Sequence, residues 1–145
     1  MKYKLIIDKY AEEEIVVTAH KRSILTDQIE NLVSNYTGTN FLLVKKDDEM
    51  KKLSFDEIEC ITIIERKVTV IDSNCNKFRI QDRLRDLESI LPSYFIRINK
   101  STIANEHSIV KFEAVFSGAV DAIFKSGYRE YVSRRCFKEI RRRYE

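Results

Sequence analysis

The chain has 145 residues and a formal net charge of +3, a length suited to one sizeable core and too short for two ordinary domains. With 43% hydrophobic and 34% charged residues, one Pro and three Gly, it cannot be collagen-like, low-complexity or mostly disordered. No apolar run approaches the roughly 20 residues of a membrane helix, and Met1-Lys2-Tyr3-Lys4 leads into no signal-type apolar stretch. The expectation is a cytoplasmic protein that does not touch a membrane.

The charge is unevenly spread. Residues 1–57 hold 9 Lys/Arg against 11 Asp/Glu, and residues 58–145 hold 17 against 12, so a −2 part precedes a +5 part. The basic part favours an anionic partner, nucleic acid first, although a solvated helix face accounts equally well for Arg141, Arg142 and Arg143. Cys60, Cys75 and Cys136 stand 15 and 61 residues apart, which fits neither a zinc spacing nor a disulfide framework, so three reduced thiols are expected.

In chain order, residues 3–8 and 14–19 are rich in Ile and Val and read as two strands joined by the acidic turn Ala11-Glu12-Glu13. A helix over 23–36 follows, its stripe formed by Leu25, Ile29, Leu32, Val33 and Tyr36, with Ser23 to cap it and Gly38 beyond its end. Residues 40–45 read as a strand and the charged residues 46–52 as a boundary loop. Short strands are then predicted at 59–65, 67–72, 77–81, 95–98, 108–113, 119–125 and 130–132. A helix carrying Leu84, Leu87, Ile90 and Leu91 interrupts them, from Asp82 to just before Pro92. A last helix over 135–143 starts after Ser133 and turns Phe137, Ile140 and Tyr144 inward. Turns are too short for crossover helices, so the fold class is mainly β (α+β) and antiparallel, with peripheral helices. The division expected is an extension over 1–52, strand-strand-helix-strand and a candidate dimerisation element, followed by a domain over 53–145.

Signatures of catalysis are missing. His20 and His107 lie outside any metal spacing, Gly38, Gly118 and Gly127 make no phosphate loop, and the acidic runs at 12–14 and 47–49 resemble solvated turns. The expectation is no enzyme, no cofactor, no metal and no small-molecule substrate.

The most informative stretch is Phe95-Ile96-Arg97-Ile98-Asn99-Lys100-Ser101-Thr102-Ile103-Ala104-Asn105. A strand enters a polar turn, Ser101 can cap the short segment after it, and Asn105 can close that segment in the left-handed conformation. Lys100 then stands at a loop tip where it can reach into a groove; an ordinary strand-to-turn junction is the plainer alternative.

This stretch, with Glu57-Ile58-Glu59-Cys60-Ile61, Leu84-Arg85-Asp86-Leu87-Glu88 and Tyr131-Val132-Ser133-Arg134-Arg135-Cys136-Phe137-Lys138, resembles the LytTR-type DNA-binding domain over about residues 53–143. The resemblance implies a ten-stranded, elongated domain that presents loops to successive major grooves and the adjoining backbone of double-stranded DNA. By position it implies base-edge contacts from Arg66, Lys100 and Arg135, and backbone positioning by Lys67, Arg97, Asn99, Ser101 and Arg134. For Arg97 an internal salt bridge bracing the turn is the competing expectation. The chain departs from the family pattern at Asn99, where His is common, at Thr102, where Tyr or Phe is common, and at Ala104, where Val is common. The first loop also lacks the usual small or glycine-containing turn. About 52 residues precede the resemblance, too few for a receiver domain, so a stand-alone bacterial regulator acting as a homodimer on repeated half-sites is expected. The rival is a protein-interaction module that sequesters another regulator of this kind.

Overall fold

The computed structural model describes residues 2–12, 14–36 and 40–144, with the backbone alone at Asn35, Tyr36 and Ser117. The expected roles of Glu13 and Gly38, and of the Tyr36 side chain, lie outside the described residues.

The strands expected at 3–8 and 14–19 do not form. A turn forms earlier than the expected Ala11-Glu12-Glu13, at Asp8 to Ala11: Asp8 Oδ1 accepts from the Tyr10 amide at 3.0 Å and the Asp8 carbonyl from the Ala11 amide at 3.2 Å. The flanking segments pair with nothing described, and Ile7 and Val16 stay 85% and 75% exposed. An isolated two-stranded hairpin is marginal in water, and β propensity alone cannot hold one.

Helix α1, Ile24–Tyr36, starts where predicted. Ser23 Oγ accepts from the Thr26 amide at 3.3 Å while Thr26 Oγ1 accepts from the Ser23 amide at 2.9 Å, a reciprocal cap. Its apolar stripe is not sunk into the body, since Leu25 and Leu32 are 40% and 69% exposed. The polar side docks instead. Arg22 meets Asp27 at 2.9 Å, Glu30 at 3.1 Å and Glu106 at 3.7 Å, and Glu30 Oε1 accepts from the Ser93 amide at 2.7 Å.

From Asn40 the chain builds ten strands. β1, Phe41–Lys46, and β2, Glu49–Ser54, form a hairpin with its turn at Asp47 and Asp48, so the loop expected at 46–52 is mostly strand. β3, Ile58–Ile64, β4, Lys67–Asp72, β5, Lys77–Arg79, β6, Phe95–Asn99, and β7, Thr102–Asn105, complete a seven-stranded antiparallel sheet of order β2-β1-β5-β4-β3-β7-β6. β1, expected in the extension, is therefore hydrogen-bonded into the main sheet, and a cut at residue 52 would divide β2. β7 replaces the capped segment expected after Ser101. Asn105 is extended there, at φ −77° and ψ 107°, and its side chain does the closing: it donates to the Ile58 carbonyl at 2.9 Å and accepts from the His107 amide at 3.0 Å.

β8, Ile109–Ala114, β9, Val120–Phe124, and β10, Arg129–Val132, form a second, three-stranded sheet, followed by α3, Arg134–Tyr144. The middle of the large sheet is buried on both faces while its β1–β2 end is covered on one, which is why β3, β4 and β7 read as near-continuous apolar runs. One face carries Leu42, Val44, Ile61, Val70 and Ile103 against α2, Leu84–Ile90, through Leu84 and Leu87. The other carries Cys60, Ile71, Ile98 and Ala104 against Ala122 and Phe124 of β9, Val132 of β10 and Ile140 of α3. A bulge at Glu59, between Ile58 and Cys60, breaks the two-residue alternation, so that Ile58 and Cys60, two positions apart, serve opposite faces. Of the residues expected to turn inward from α3, Ile140 is buried, Phe137 is half-buried on the same cluster, and Tyr144 is half exposed.

Candidate nucleic-acid interface

Sheet register determines which loops meet. Ile64 pairs with Lys67 across β3 and β4, leaving a two-residue turn of Glu65 and Arg66. Thr62 pairs with Thr102 across β3 and β7, so the β6–β7 turn carrying Lys100 and Ser101 lies at the same end of the sheet, two strand spacings or about 10 Å away. The Ser133 amide donates to the Ile98 carbonyl at 2.8 Å, which seats the start of α3 beside the end of β6. Residues 66, 100 and 135 are thus gathered at one end of the molecule, and the side chains of Arg66, Lys67, Lys100, Arg134 and Arg135 are all exposed there.

Each turn is held from inside. Glu65 and Arg66 both have positive φ, 52° and 66°, as a type I′ hairpin turn requires. That backbone is costly for residues other than Gly or Asn, and Arg79 of β5 braces it. Its Nη1 donates to the Ile64 carbonyl at 2.9 Å and to Thr69 Oγ1, and its Nη2 stands 3.6 Å from Glu65 Oε2. At the second turn, Arg97 donates to both Glu88 carboxylate oxygens, at 3.0 and 3.3 Å, and to the Lys100 carbonyl at 2.7 Å. Asn99 accepts from the Ser101 amide at 2.8 Å and donates to the Tyr131 carbonyl at 2.6 Å, tying the turn to β10. Arg97 and Asn99 therefore engage their polar groups in bonds within the protein, and Lys100 is left exposed. At α3, Ser133 Oγ accepts from the Cys136 amide at 3.2 Å as the expected cap. Gly118, at φ +80°, lies against Arg134: a Cβ on it would come within 3.3 Å of the guanidinium.

Two bracing residues leave no such signal in the sequence. Arg79 alternates with Phe78 and Ile80 and so reads as a solvent-facing position; only the pairing of β5 with β4 brings it to the turn. Glu88 reads as one carboxylate on the polar side of α2.

Among the described residues no group of three or more His, Cys, Asp or Glu could hold a metal ion, and no helix is long and apolar enough to cross a membrane. The three cysteines are free, and burial pushes the Cys60 thiol well above its usual range.

The fold is mainly antiparallel β, with three exposed cationic segments at one end of its large sheet. The LytTr DNA-binding domain family matches residues 48–145, and the chain belongs to that family. It is 33% identical to an uncharacterized HTH-type transcriptional regulator of Staphylococcus aureus strain MSSA476 and to another of strain MW2, in each case over 99% of this chain and 97% of the relative. Its fold is similar to that of a LytTr DNA-binding domain from Bacillus cereus, with a TM-score of 0.66 and 21% identity over 72% of this chain and 96% of the other. The protein carries a DNA-binding domain and is not an enzyme. Among the described residues no two helices follow one another in the chain, so no helix-turn-helix pair is present despite the class in the relatives' names.

Proposed function

We propose that the protein is a cytoplasmic transcription regulator that binds duplex DNA sequence-specifically, with Arg66, Lys100 and Arg135 on base edges and Lys67, Ser101 and Arg134 on the backbone. Arg97 and Asn99 serve the same site by fixing the Lys100 turn. The observation that carries this reading is the convergence, at one end of the sheet, of three exposed cations that lie far apart in sequence. Arginine and lysine at loop tips can donate to guanine O6 and N7, and amides at the start of α3 suit a phosphate oxygen. Relatives matched over nearly their full length are named as transcriptional regulators, which supports the regulatory role.

The test is a titration against the promoter DNA of its own gene at two salt concentrations. Affinity should fall by roughly 0.9 log units per log unit of salt for each phosphate contact. Lys100→Ala or Arg135→Ala should cost about 1–3 kcal/mol on the specific site and narrow the gap to random DNA, whereas Lys67→Ala should weaken both alike. Absent or salt-independent binding overturns the reading, and favours the rival in which the protein sequesters another regulator.

The protein is further proposed to act as a homodimer on repeated half-sites, with the part of the expected 1–52 extension that precedes β1 supplying the contact. Leu5, Ile7, Ile15 and Val16, all more than half exposed, suit strand pairing with a second copy. Ile7→Asp with Val16→Asp in the full chain should convert a dimer to a monomer by light scattering; an unchanged mass rejects this part alone.

A further inference from the structure

The large sheet does not close evenly. β1 meets β5 at a single position, Lys45 opposite Arg79, and where the two strands part a groove of about 1040 Å³ opens. Its floor includes Val44, Val68 and Ile80, and around it stand Lys45, Lys46, Arg66, Lys67, Lys77 and Arg79 against two carboxylates, Asp47 and Asp82. Among the described residues Lys45, Lys46, Lys67 and Lys77 have no carboxylate partner; Lys46 lies over the Phe78 ring at 5.7 Å. Such an excess of unpaired cations is self-repelling in the free protein and is relieved by an anion.

We infer that this groove is a fourth DNA contact, in which Lys45, Lys46 and Lys77 take the sugar-phosphate backbone of the duplex flanking the bases read at the β3–β4 turn. This rests on the DNA-binding reading above and extends it. Three observations select an extended polyanion. First, Arg66 and Lys67 belong to both the β3–β4 turn and the groove, so the two surfaces are continuous. Second, the proposed contacts follow the order of the sheet: the start of α3 beside β6, the β6–β7 turn, the β3–β4 turn, then β5 and β1. β1 lies two strand spacings beyond β4, about 10 Å, which a lysine side chain covers in large part. Third, the cations are strung across β1, β4 and β5, a spread that suits an extended polyanion better than a small anion. Contacts of this kind position the duplex and carry no base preference.

The test uses the full chain with Lys45, Lys46 and Lys77 all changed to Gln, which keeps most of each stem and removes the charge. Binding to a specific duplex and to a random one is measured across a salt series, alongside wild type and Lys100→Ala. The triple variant should lose roughly tenfold to hundredfold in affinity on both duplexes, with a salt slope shallower by about 0.9 per lost contact and an unchanged specific-to-random ratio. Trimming the duplex on the β1 side should weaken wild type and leave the triple variant unaffected. If wild type and Lys100→Ala behave as a DNA-binding protein and its specificity variant while the triple variant keeps the wild-type slope, the groove inference falls and the DNA reading stands. If wild type binds no DNA, both fall. Should the triple variant unfold, Lys45→Gln alone decides between the same two outcomes, through a slope change of one contact.

Discussion

At Arg66 the side chain proposed to read a base sits on a backbone that disfavours it. A non-glycine residue in the left-handed region costs about 1 kcal/mol, and Glu65 and Arg66 share that conformation across one turn. Arg66→Gly should therefore raise the melting temperature, by an amount matching about 1 kcal/mol, while lowering affinity for DNA; calorimetry and titration on the same sample check both. A variant that loses stability would show that the Arg66 side chain packs where the structure leaves it exposed. Lys100 depends on a different device. Arg97→Ala removes the bonds to Glu88 and to the Lys100 carbonyl, so it should weaken specific binding nearly as much as Lys100→Ala, although the Arg97 guanidinium is engaged within the protein. Arg97→Lys should restore little, because one ammonium cannot span the carboxylate and the carbonyl together. Full binding by Arg97→Ala would show that the turn holds itself through Asn99.

Between elements, one buried carboxylate joins the two sheets. Glu59 of β3, 1% exposed, accepts from the Ser126 amide at 3.0 Å and from the Ser126 hydroxyl, and so ties the β9–β10 turn to the large sheet. Glu59→Ala leaves those part-buried donors unpaired and should cost about 1–3 kcal/mol, read from denaturant unfolding. β9–β10 leads into α3, so local opening there should also loosen the seat of Arg135; an unaltered stability would mean the apolar cluster alone holds the sheets together. The helices show how differently periodicity can be used. In α2, Leu84 and Leu87 are buried against the sheet as the stripe predicts. In α1 the predicted stripe is split, with Leu25 and Leu32 exposed and Ile29 and Val33 half-buried, and attachment runs also through Arg22, Asp27, Glu30 and Glu106. Hydrophobic spacing identifies a helix but not the face that finds a partner within the same chain.

For the whole molecule, alkaline pH is the direct probe of how well the core is closed. Burial raises Tyr94 from 10.0 to about 12, and raises Tyr128 and Cys60 as well, with the Glu130 carboxylate adding to the effect on Tyr128. All three groups stay protonated in the fold at pH values where the unfolded chain has begun to release its protons. Their contribution is therefore fully present below about pH 9; that of Cys60 begins to be lost above 9.0, and that of Tyr94 is lost as pH rises from 10.0 to about 12. Tyr94, 1% exposed, accounts for about 3 kcal/mol of that loss, from two pH units at 1.36 kcal/mol each. Urea midpoints measured from pH 8 to pH 11 should fall continuously above pH 9; a flat profile would mean that water reaches these side chains.

The sequence by itself determined the mainly antiparallel fold, most strands from β3 onward, α2 and α3 with Leu84, Leu87, Leu91 and Ile140 buried but not Ile90 or Tyr144, and the positions of the basic loops. These depend on short-range information: period-two alternation, apolar stripes, caps and turn residues. It misread β2, β7 and the two N-terminal strands. β2, a Lys-rich run, becomes strand only because β1 is its neighbour; β7 only because it lies between β3 and β6. The segments 3–8 and 14–19 have every local preference for strand and no partner among the described residues. Strand pairing and the convergence of Arg66, Lys100 and Arg135 belong to tertiary structure for one reason. A β-strand satisfies its backbone across space, so its existence and its register depend on residues remote in the chain, 40 positions apart in the case of Thr62 and Thr102 across β3 and β7.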